Sequence, residues 1–473
     1  MVDKKYKNTK ILATIGPASD TKDKIIELIE AGIDGVRLNF SHGNYEYYQK
    51  VFTNINDACI ATSQPIAILT DLQGPKIRVG ELTEPEIELR ENDRLEITME
   101  EVLGTKQRIT CSYKNLARDA KAGDHIYIDD GLIKLLVVGS DGDNIQTIVI
   151  EGGILKPRKG INLPGMQLSL PSLTEKDYKD LDFALKHRVD FVALSFVRSS
   201  NDIIQLREYL LRKGLNKTII AKIEKPEAVK NFNSILEVSD GIMIARGDLG
   251  VELPPQEVPI IQKSIIRQCN KAGKMVITAT QMLESMIHNP VPTRAETSDV
   301  ANAVWDGTDV VMLSGETSIG EFPVESVEMM YNILVETEKN MDLVKTDRME
   351  LSKGNVFDSV GSALVNMAVQ LKAGAVVSFT RKGRMARAMS RFRPATRIVA
   401  MSDSFEMMNV LSLMWGIIPI YFEDLPDEHT AIKKATELIR EKGIVSKGDI
   451  IIFTSGAPVE EKDKDIWIRF GKA

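Results

Sequence analysis

Eight short apolar runs of similar length, most of them separated by helical stretches, constrain the fold more than any other feature of the sequence. Near-continuous apolar runs of this length are typical of buried parallel strands, whereas half-exposed strands alternate in polarity. The runs cover residues 10–16, 35–40, 67–72, 191–196, 219–224, 241–247, 275–280 and 310–315. Eight strand–helix units predict a (β/α)8 (TIM) barrel, an α/β fold.

Two segments depart from this rhythm. Residues 74–168 show polar–apolar alternation and many turn residues, which favours a small β-barrel domain inserted in the larger barrel. After a polar stretch, runs at 375–380, 397–401, 417–422 and 449–455 alternate with helical segments. We therefore expect a catalytic barrel from 1–73 plus 169–341, an inserted lid at 74–168, and a C-terminal α/β domain with a mostly parallel sheet at 342–473.

Composition excludes several classes of protein. The formal net charge of −7 argues against nucleic acid as a general partner. The charged N-terminus lacks the apolar region of a secretory signal, and no run is long enough to span a membrane. Three widely spaced cysteines indicate a reducing compartment and no disulfide framework. These features predict a cytoplasmic protein that needs no membrane partner.

Polar side chains follow the apolar runs, at the strand ends where a barrel of this kind carries its active site. Each residue alone is as readily explained as a cap or a surface group, and their convergence is what indicates function. The set comprises Arg37, Asn39, Ser41, His42, Asp71, Lys222, Glu224, Arg246, Gly247, Asp248, Thr280, Gln281, Ser314 and Glu316.

The chemistry of this set indicates phosphoryl transfer. Glu224 and Asp248 are a natural pair of oxygen ligands for Mg²⁺ or Mn²⁺. Lys222 and Arg37 add fixed positive charge, and the turn at 246–250 offers backbone amides to an anion at a helix start. The chain has no Walker A motif, so a kinase of this kind would belong to another class.

The motifs at these strand ends resemble those of pyruvate kinases over essentially the whole chain. They are TIGPAS (14–19), RLNFSHG (37–43), KGINLPG (159–165), AKIE (221–224), ARGDLGVE (245–252), TATQMLESM (278–286), PTRAE (292–296) and MLSGET (312–317). The resemblance implies transfer of the phosphoryl group of phosphoenolpyruvate to ADP, which gives pyruvate and ATP.

The resemblance also implies residue roles. Glu224 and Asp248 would hold the divalent ion, and Lys222 would stabilise the transferring phosphoryl group. Arg37 would contact phosphate, whereas Gly247, Asp248 and Thr280 would hold the substrate carboxylate. Thr280 and Ser314 would belong to the relay that protonates the enolate. The nucleotide side would comprise Asn39, His42, Arg78 and Lys159.

One departure from the family pattern concerns potassium. The potassium-requiring members hold the ion with groups that correspond to Asn39, Ser41, Asp71 and the carbonyl of Leu72. They typically carry glutamate where this chain has Lys76. The Lys76 ammonium could replace the ion, so we expect potassium-independent activity. The alternative is a solvated lysine at the hinge of the lid.

The C-terminal domain suggests regulation. The turn formed by Thr380, Arg381, Lys382, Gly383 and Arg384 follows a predicted strand and opens a helix, which suits a phosphorylated effector. A plain basic surface turn explains it equally well. The late loop near 454–463 lacks the composition of a strong sugar bisphosphate site, so we expect a monophosphate effector or none. The resemblance implies a homotetramer.

Two other functions fit part of the pattern. An inactive regulator on this scaffold should have lost Lys222, Glu224, Asp248, Thr280 or Arg37, and all five are present. A metal-dependent lyase or aldolase that acts on pyruvate or its enol phosphate would explain Glu224 and Asp248, but neither the inserted domain nor Lys159.

Overall fold

The computed structural model describes residues 6–41, 43–166, 168–341, 355–423, 427–455 and 466–473. His42, expected on the nucleotide side, lies outside the described residues, as does most of the late loop near 454–463.

Eight parallel strands close into a barrel, in which each strand pairs with the next one along the chain and the last pairs with the first. Almost all their residues are buried, which explains why each strand is an unbroken apolar run. Most of the predicted runs extend one or two residues beyond their strand, into the loop that carries the polar groups. The strands are β1 (Lys10–Thr14), β2 (Gly35–Asn39), β3 (Ala67–Leu72), β4 (Phe191–Leu194), β5 (Thr218–Ile223), β6 (Gly241–Ala245), β7 (Met275–Ala279) and β8 (Val310–Leu313).

Helices surround this barrel and bury their apolar faces against it. Capping boxes fix the starts of several of them, for example at Thr174 with Asp177 and at Thr293 with Glu296. The α-helices are Lys22–Ala31, Tyr45–Thr62, Glu175–Ala184, Ser200–Arg212, Pro226–Lys230, Phe232–Val238, Arg246–Glu252, Val258–Ala272, Arg294–Asp306, Gly315–Ser318 and Pro323–Lys339, with 3₁₀ turns at Pro255–Glu257 and Glu284–Ile287.

The segment between β3 and β4 forms the expected small β domain, with its own core of residues such as Leu95, Ile126 and Leu135. A six-stranded sheet and a two-stranded sheet make up the domain, together with the short helix Leu116–Asp119. The strands are Ile87–Leu89, Arg94–Thr98, Arg108–Thr110, His125–Ile128, Ile133–Ser140, Asn144–Glu151, Gly153–Leu155 and Ile161–Asn162.

The C-terminal domain is a five-stranded sheet with helices around it. Four strands are parallel, as predicted, and the fifth is an antiparallel edge strand that the sequence did not reveal. The strands are β9 (Ala375–Phe379), β10 (Arg397–Ser402), β11 (Ile417–Tyr421), β12 (Ile450–Ser455) and β13 (Ile468–Lys472), and the helices are Val356–Gln370, Arg384–Arg391, Phe405–Ser412 and Glu428–Glu441. The residue numbers at which the domains meet stay predictions.

The C-terminal domain packs under the barrel, at the end where the strands begin. Lys10, the first residue of β1, donates a hydrogen bond to the carbonyl of Ile417 at 2.8 Å. Arg393 contacts Asp309, just before β8, at 2.7 Å. The inserted domain contacts the opposite end, where the strands finish, since Asn162 donates a hydrogen bond of 3.1 Å to Glu252 after β6. Within the described residues no helix is both long and apolar enough to cross a membrane, and the cytoplasmic location stays a prediction.

Candidate active site

Lys222 is the centre of the polar cluster at the carboxyl end of the barrel. Its side chain lies on β5, and its Nζ is 2.9 Å from Glu224 Oε1 and 3.2 Å from Asp71 Oδ1. Nζ also donates a hydrogen bond of 2.7 Å to Ser195 Oγ. Burial alone would lower the pKa of Lys222, but the charges of Asp71 and Glu224 outweigh it and raise the pKa above its usual value. The structure thus holds a buried, charged ammonium group here.

Asp71, the next-to-last residue of β3, joins the two cations of the site. Its Oδ2 accepts a hydrogen bond of 2.8 Å from Arg37 Nε, and its Oδ1 faces Lys222 and Ser195. Burial would raise the pKa of Asp71, but Lys222 and Arg37 outweigh it and the pKa is lowered. Arg37 also donates to Thr14 Oγ1 at 3.2 Å, which fixes the guanidinium between β1 and β3.

Glu224 is a buried carboxylate whose two oxygens have different partners. Its Oε2 accepts a hydrogen bond of 2.8 Å from the Phe196 amide, whereas Oε1 faces the Lys222 ammonium at 2.9 Å. Burial raises the pKa of Glu224; Lys222 opposes the rise and the nearby charge of Asp248 adds to it. A second cation beside Glu224 and Asp248 would therefore be favourable.

These two carboxylates fit a divalent ion that takes most of its ligands from elsewhere. Asp248 lies two residues into the helix that follows β6 and is half-buried. No group of three or more acidic, histidine or cysteine side chains that could hold a metal occurs among the described residues. Mg²⁺ is commonly bound through one or two carboxylates, with substrate oxygens and water as its other ligands. The buried Glu224 carboxylate and the nearby Asp248 suit that arrangement, since each adds to the negative charge around the other.

A strained turn after β7 places Thr280 opposite the helix that carries Asp248. Thr280 and Gln281 have φ angles of 66° and 53°, a conformation that costs a β-branched residue free energy and marks functional sites. Thr280 Oγ1 accepts a hydrogen bond of 2.7 Å from the Gly247 amide. Arg246, one of the polar residues expected at the strand ends, donates to the carbonyls of Thr280 and Gln281 and pairs with Asp299. Its guanidinium holds the turn in place.

Ser314 and Glu316 lie after β8. The Ser314 hydroxyl oxygen is buried and has no hydrogen-bond partner in the described residues. Glu316 is fully buried, and its carboxylate accepts hydrogen bonds from the amides of Ser314 and Leu283 at 2.7 and 3.0 Å. Burial raises the pKa of Glu316, and the backbone amides oppose that rise. Glu316 therefore joins the loops after β7 and β8, and leaves the Ser314 hydroxyl available to a ligand.

The pyruvate kinase barrel-domain family model matches residues 6–327, and the pyruvate kinase alpha/beta-domain model matches residues 358–466. The chain belongs to the pyruvate kinase family. The expected fold and enzyme class, a phosphotransferase with pyruvate kinase activity, are thereby confirmed.

Individual proteins agree with this assignment. A pyruvate kinase of Geobacillus stearothermophilus is 44% identical over 463 residues, which cover 96% of this chain and 78% of that protein. A pyruvate kinase of Staphylococcus aureus is 43% identical over 459 residues, with the same coverage. A crystal structure of a pyruvate kinase from Cryptosporidium parvum superposes with a TM-score of 0.92 at 36% identity, over 98% of this chain and 96% of that one.

The residues expected to bind the nucleotide do not form a contact cluster like the one around Lys222. Asn39, at the end of β2, accepts a hydrogen bond of 3.2 Å from the Ser41 amide. In the inserted domain, Arg78 donates to the Arg158 carbonyl at 3.2 Å, and Lys159 pairs with Asp129 at 2.9 Å. Neither of these two side chains contacts the Lys222 cluster in the described part of the chain, so their roles stay predictions.

Lys76 lies in the cleft between the barrel and the inserted domain rather than against Asp71. It shares that cleft with Asp248 and Lys225, and a methyl group added at Gly160 would lie 3.8 Å from its Cε. Among the described residues its ammonium has no hydrogen-bond or ion-pair partner. The cations that contact Asp71 are Lys222 and Arg37, so the role of Lys76 in replacing potassium stays a prediction.

Several functional contacts escaped sequence reasoning. Ser195, near the end of the fourth run, links Lys222 to Asp71. Its position directly after a buried strand is the sequence feature that could have identified it. Glu252 pairs with Lys225, which is also on the barrel. It also accepts a hydrogen bond of 3.1 Å from Asn162 of the inserted domain. This buried contact joins the two domains close to the metal carboxylates.

The predicted effector turn has the expected local geometry. Thr380 follows β9 and its Oγ1 accepts a hydrogen bond of 2.9 Å from the Gly383 amide. Gly383 has a φ of 67° and precedes the helix Arg384–Arg391. Arg381 lies 3.8 Å from Asp403, and Arg384 lies over the ring of Phe357. This strand–turn–helix arrangement is compatible with anion binding, and whether an effector binds there stays a prediction.

Proposed function

We propose that the cluster around Lys222 carries out phosphoryl transfer from phosphoenolpyruvate to ADP. The observation that carries this proposal is the buried Lys222 ammonium, which lies 2.9 Å from a carboxylate oxygen of the buried Glu224. A fixed cation beside a metal-grade carboxylate suits a reaction whose catalysis is mostly positioning and charge stabilisation.

Glu224 and Asp248 would hold Mg²⁺ or Mn²⁺, which when bound neutralises charge on the phosphoryl and carboxylate oxygens of the substrate. Lys222 keeps its proton because Asp71 and Glu224 raise its pKa, so it can follow the phosphoryl group as a cation. Arg37, held by Asp71 and Thr14, would contact the phosphate.

The substrate carboxylate would bind to the amides of Gly247 and Asp248 and to the Thr280 hydroxyl. The turn after β7 already places Thr280 Oγ1 2.7 Å from the Gly247 amide. After transfer the enolate must gain a proton. We assign this relay to Thr280 and to the Ser314 hydroxyl, whose oxygen is buried without a partner.

The nucleotide would lie between the barrel and the inserted domain, against Asn39, His42, Arg78 and Lys159. The inserted domain would act as a lid, because Lys159 must approach the transferring group from that side. The Asn162–Glu252 contact of 3.1 Å supports a lid that docks beside Asp248.

We further propose that activity is independent of potassium, because Lys76 supplies a positive charge at this end of the barrel. The test is the turnover rate with and without K⁺ at constant ionic strength. We expect the native protein to change by less than about twofold, and Lys76→Glu to become at least about tenfold more active with K⁺. Strong stimulation of the native protein by K⁺ would reject the idea, and Lys76→Gln separates loss of the ammonium from gain of the carboxylate.

A homotetramer, with a monophosphate effector at Thr380–Arg384 or no effector, completes the proposal. Large apolar side chains on the barrel support the oligomer, since Ile260, Val291, Trp305 and Ile319 are each more than half exposed. Light scattering of the purified protein tests the assembly, and a monomer would refute it.

The assay that tests the function couples pyruvate release to lactate dehydrogenase, with phosphoenolpyruvate, ADP and Mg²⁺. We expect pyruvate release that requires both ADP and the metal. Pyruvate release without ADP would instead indicate a lyase, and no release under any condition would indicate a binding protein.

A further inference from the structure

A buried polar contact joins the inserted domain to the barrel, and we call its three side chains, Asn162, Lys225 and Glu252, the clasp. Glu252 Oε1 accepts a hydrogen bond of 3.1 Å from Asn162 Nδ2 and also pairs with the Lys225 ammonium. Glu252 and Asn162 are only 5% and 8% exposed, although they belong to different domains. A hydrogen bond from which water is excluded fixes the distance and the direction between the elements that it joins.

On the barrel, the clasp belongs to the elements that carry the proposed metal ligands. Lys225 directly follows Glu224, and Glu252 lies four residues after Asp248 on the helix that follows β6. Side chains four residues apart share one face of a helix. Lys225, Asp248 and Asn162 line one small cleft of about 40 Å³, which has room for only a few water molecules. The inserted domain is therefore docked closely beside the metal carboxylates.

On the inserted domain, the clasp belongs to the segment that carries Lys159. The strand Ile161–Asn162 pairs with the strand His125–Ile128, and Asp129, which follows that strand, lies 2.9 Å from the Lys159 ammonium. Adjacent residues of an extended segment are about 3.3 Å apart, so Lys159 lies within about 10 Å of Asn162 along the backbone. The position of Asn162 therefore determines where Lys159 can reach.

A second contact lies next to the clasp. A methyl group added at Gly131 of the inserted domain would lie 3.8 Å from Val251 Cγ1, one residue before Glu252. Gly131 follows Asp129 by two residues, at the turn that ends the strand paired with Asn162. Two neighbouring points of the inserted domain thus meet the end of one barrel helix.

The clasp is balanced so that it can open. Glu252 Oε2 is buried and has no hydrogen-bond partner among the described residues. A carboxylate with an unsatisfied buried oxygen gives up hydration that it would regain on exposure, and the pair with Lys225 offsets part of that cost. Such a balance suits a contact that forms and breaks in each turnover.

We propose that Glu252 is a positioning residue for the reaction with ADP, an inference that rests on the function proposed above. By holding Asn162, Glu252 docks the segment 159–162 beside Glu224 and Asp248, so that Lys159 reaches the nucleotide side of the site. Glu252 acts through Asn162 rather than through the metal, because Lys225 neutralises its charge.

Exchanging the roles of the two hydrogen-bonding partners tests the clasp. Asn162→Asp places a second carboxylate about 3 Å from that of Glu252, and the repulsion should undock the inserted domain. Adding Glu252→Gln restores one donor and one acceptor with their roles exchanged, and it keeps one negative charge beside Lys225. We expect kcat/KM for ADP to fall about tenfold or more in Asn162→Asp, and to return to within about threefold of native in the double variant. The exposed Asn92→Asp, in the same domain, is the matched control and should match the native protein.

Hydrogen exchange measures the docking independently of activity. Peptides that cover residues 129–132 and 250–253 should exchange faster in Asn162→Asp than in the native protein or the double variant. Residues 145–149, in a strand of the inserted domain, should exchange at the native rate, which shows that the domain stays folded. Mn²⁺ binding should not weaken in either variant, because the metal carboxylates are intact.

The outcomes separate this proposal from the proposed function. Unchanged kcat/KM and unchanged exchange in Asn162→Asp, or no recovery on adding Glu252→Gln, would overturn the role of Glu252. Weakened Mn²⁺ binding in Asn162→Asp would overturn it as well, since the effect would then act through the metal. A native protein without ADP-dependent pyruvate release would instead reject the proposed function, and the exchange rates would still decide whether the clasp docks the inserted domain.

Discussion

The two ends of the barrel both contain buried charge, but the balance of charge differs. At the carboxyl end, two cations, Lys222 and Arg37, face the carboxylates of Asp71, Glu224 and Asp248. At the amino end, basic side chains outnumber acidic ones around the cavity between the strand starts and the C-terminal domain, and Arg387 has no partner among the described residues. The proposed metal cation would complete the first end and attract an anionic substrate, whereas the second end keeps an excess of positive charge.

The largest effect should follow from removing the proposed metal ligand. Glu224→Gln keeps the shape of the side chain and can still accept the Phe196 hydrogen bond, but it loses the charge that would hold the ion. We expect kcat/KM to fall by at least about 1000-fold, or roughly 4 kcal/mol. Mn²⁺ binding followed by electron paramagnetic resonance should weaken in parallel. The exposed Glu91→Gln is the control, and undiminished Mn²⁺ binding by Glu224→Gln would contradict the metal site.

A smaller effect should follow from neutralising Asp71, which contacts both cations without being a proposed metal ligand. Asp71→Asn should lower kcat by about 100-fold through misplacement of Lys222 and Arg37. Because Asp71 is the main charge that raises the pKa of Lys222, that pKa should fall in the variant. The reaction needs the protonated lysine, so activity should decline at a lower pH on the alkaline side. If Asp71→Asn lowers the rate equally at every pH, and activity declines on the alkaline side at the same pH as in the native protein, the electrostatic role of Asp71 is refuted.

At the amino end, the raised pKa of Asp190 should make the stability of the protein, rather than its activity, depend on pH. Burial raises the pKa of Asp190 to about 6, from 3.8 in the unfolded chain. Between pH 4 and 6 the folded protein keeps a proton that the unfolded chain has released. Stability should therefore fall as the pH rises through this window, by up to about 3 kcal/mol.

Asp190→Asn removes this pH-dependent contribution to stability. The asparagine can still accept the hydrogen bond of 2.8 Å from the Ile68 amide. Its thermal unfolding midpoint, relative to the native protein, should increase from pH 4 to pH 7 in a phosphate-free buffer. The exposed Asp57→Asn controls for a general change in charge. A constant difference between Asp190→Asn and the native protein across this range would show that Asp190 is ionised throughout.

The sequence predicted the carboxyl end far better than the amino end, for a physical reason. The residues after β5, β6 and β7 stand in local motifs, so Lys222, Glu224, Asp248 and Thr280 could be named from spacing and from the family resemblance. Arg387 belongs to a short basic helix that looks like a solvated surface. Only the packing of the C-terminal domain beneath the barrel buries it.

The remaining differences are also contacts over long distances in the chain. Ser195 becomes significant only because β4 lies between β3 and β5 in the barrel. Arg246 was named among the polar residues at the strand ends, and its guanidinium pairs with Asp299, 53 residues away. The partners of a long side chain depend on which loops meet above the barrel, and the strand pattern does not encode that.

Lys222 is proposed to act on the phosphoryl group during its transfer, and it should not be needed to hold the metal. Lys222→Met and the surface control Lys213→Met should be compared in the ADP-dependent pyruvate assay and in Mn²⁺ titrations. We predict that Lys222→Met loses at least about 1000-fold in kcat and still binds Mn²⁺ within about threefold of the native protein. Turnover within tenfold of native, or loss of metal binding together with turnover, would contradict the role assigned to this lysine.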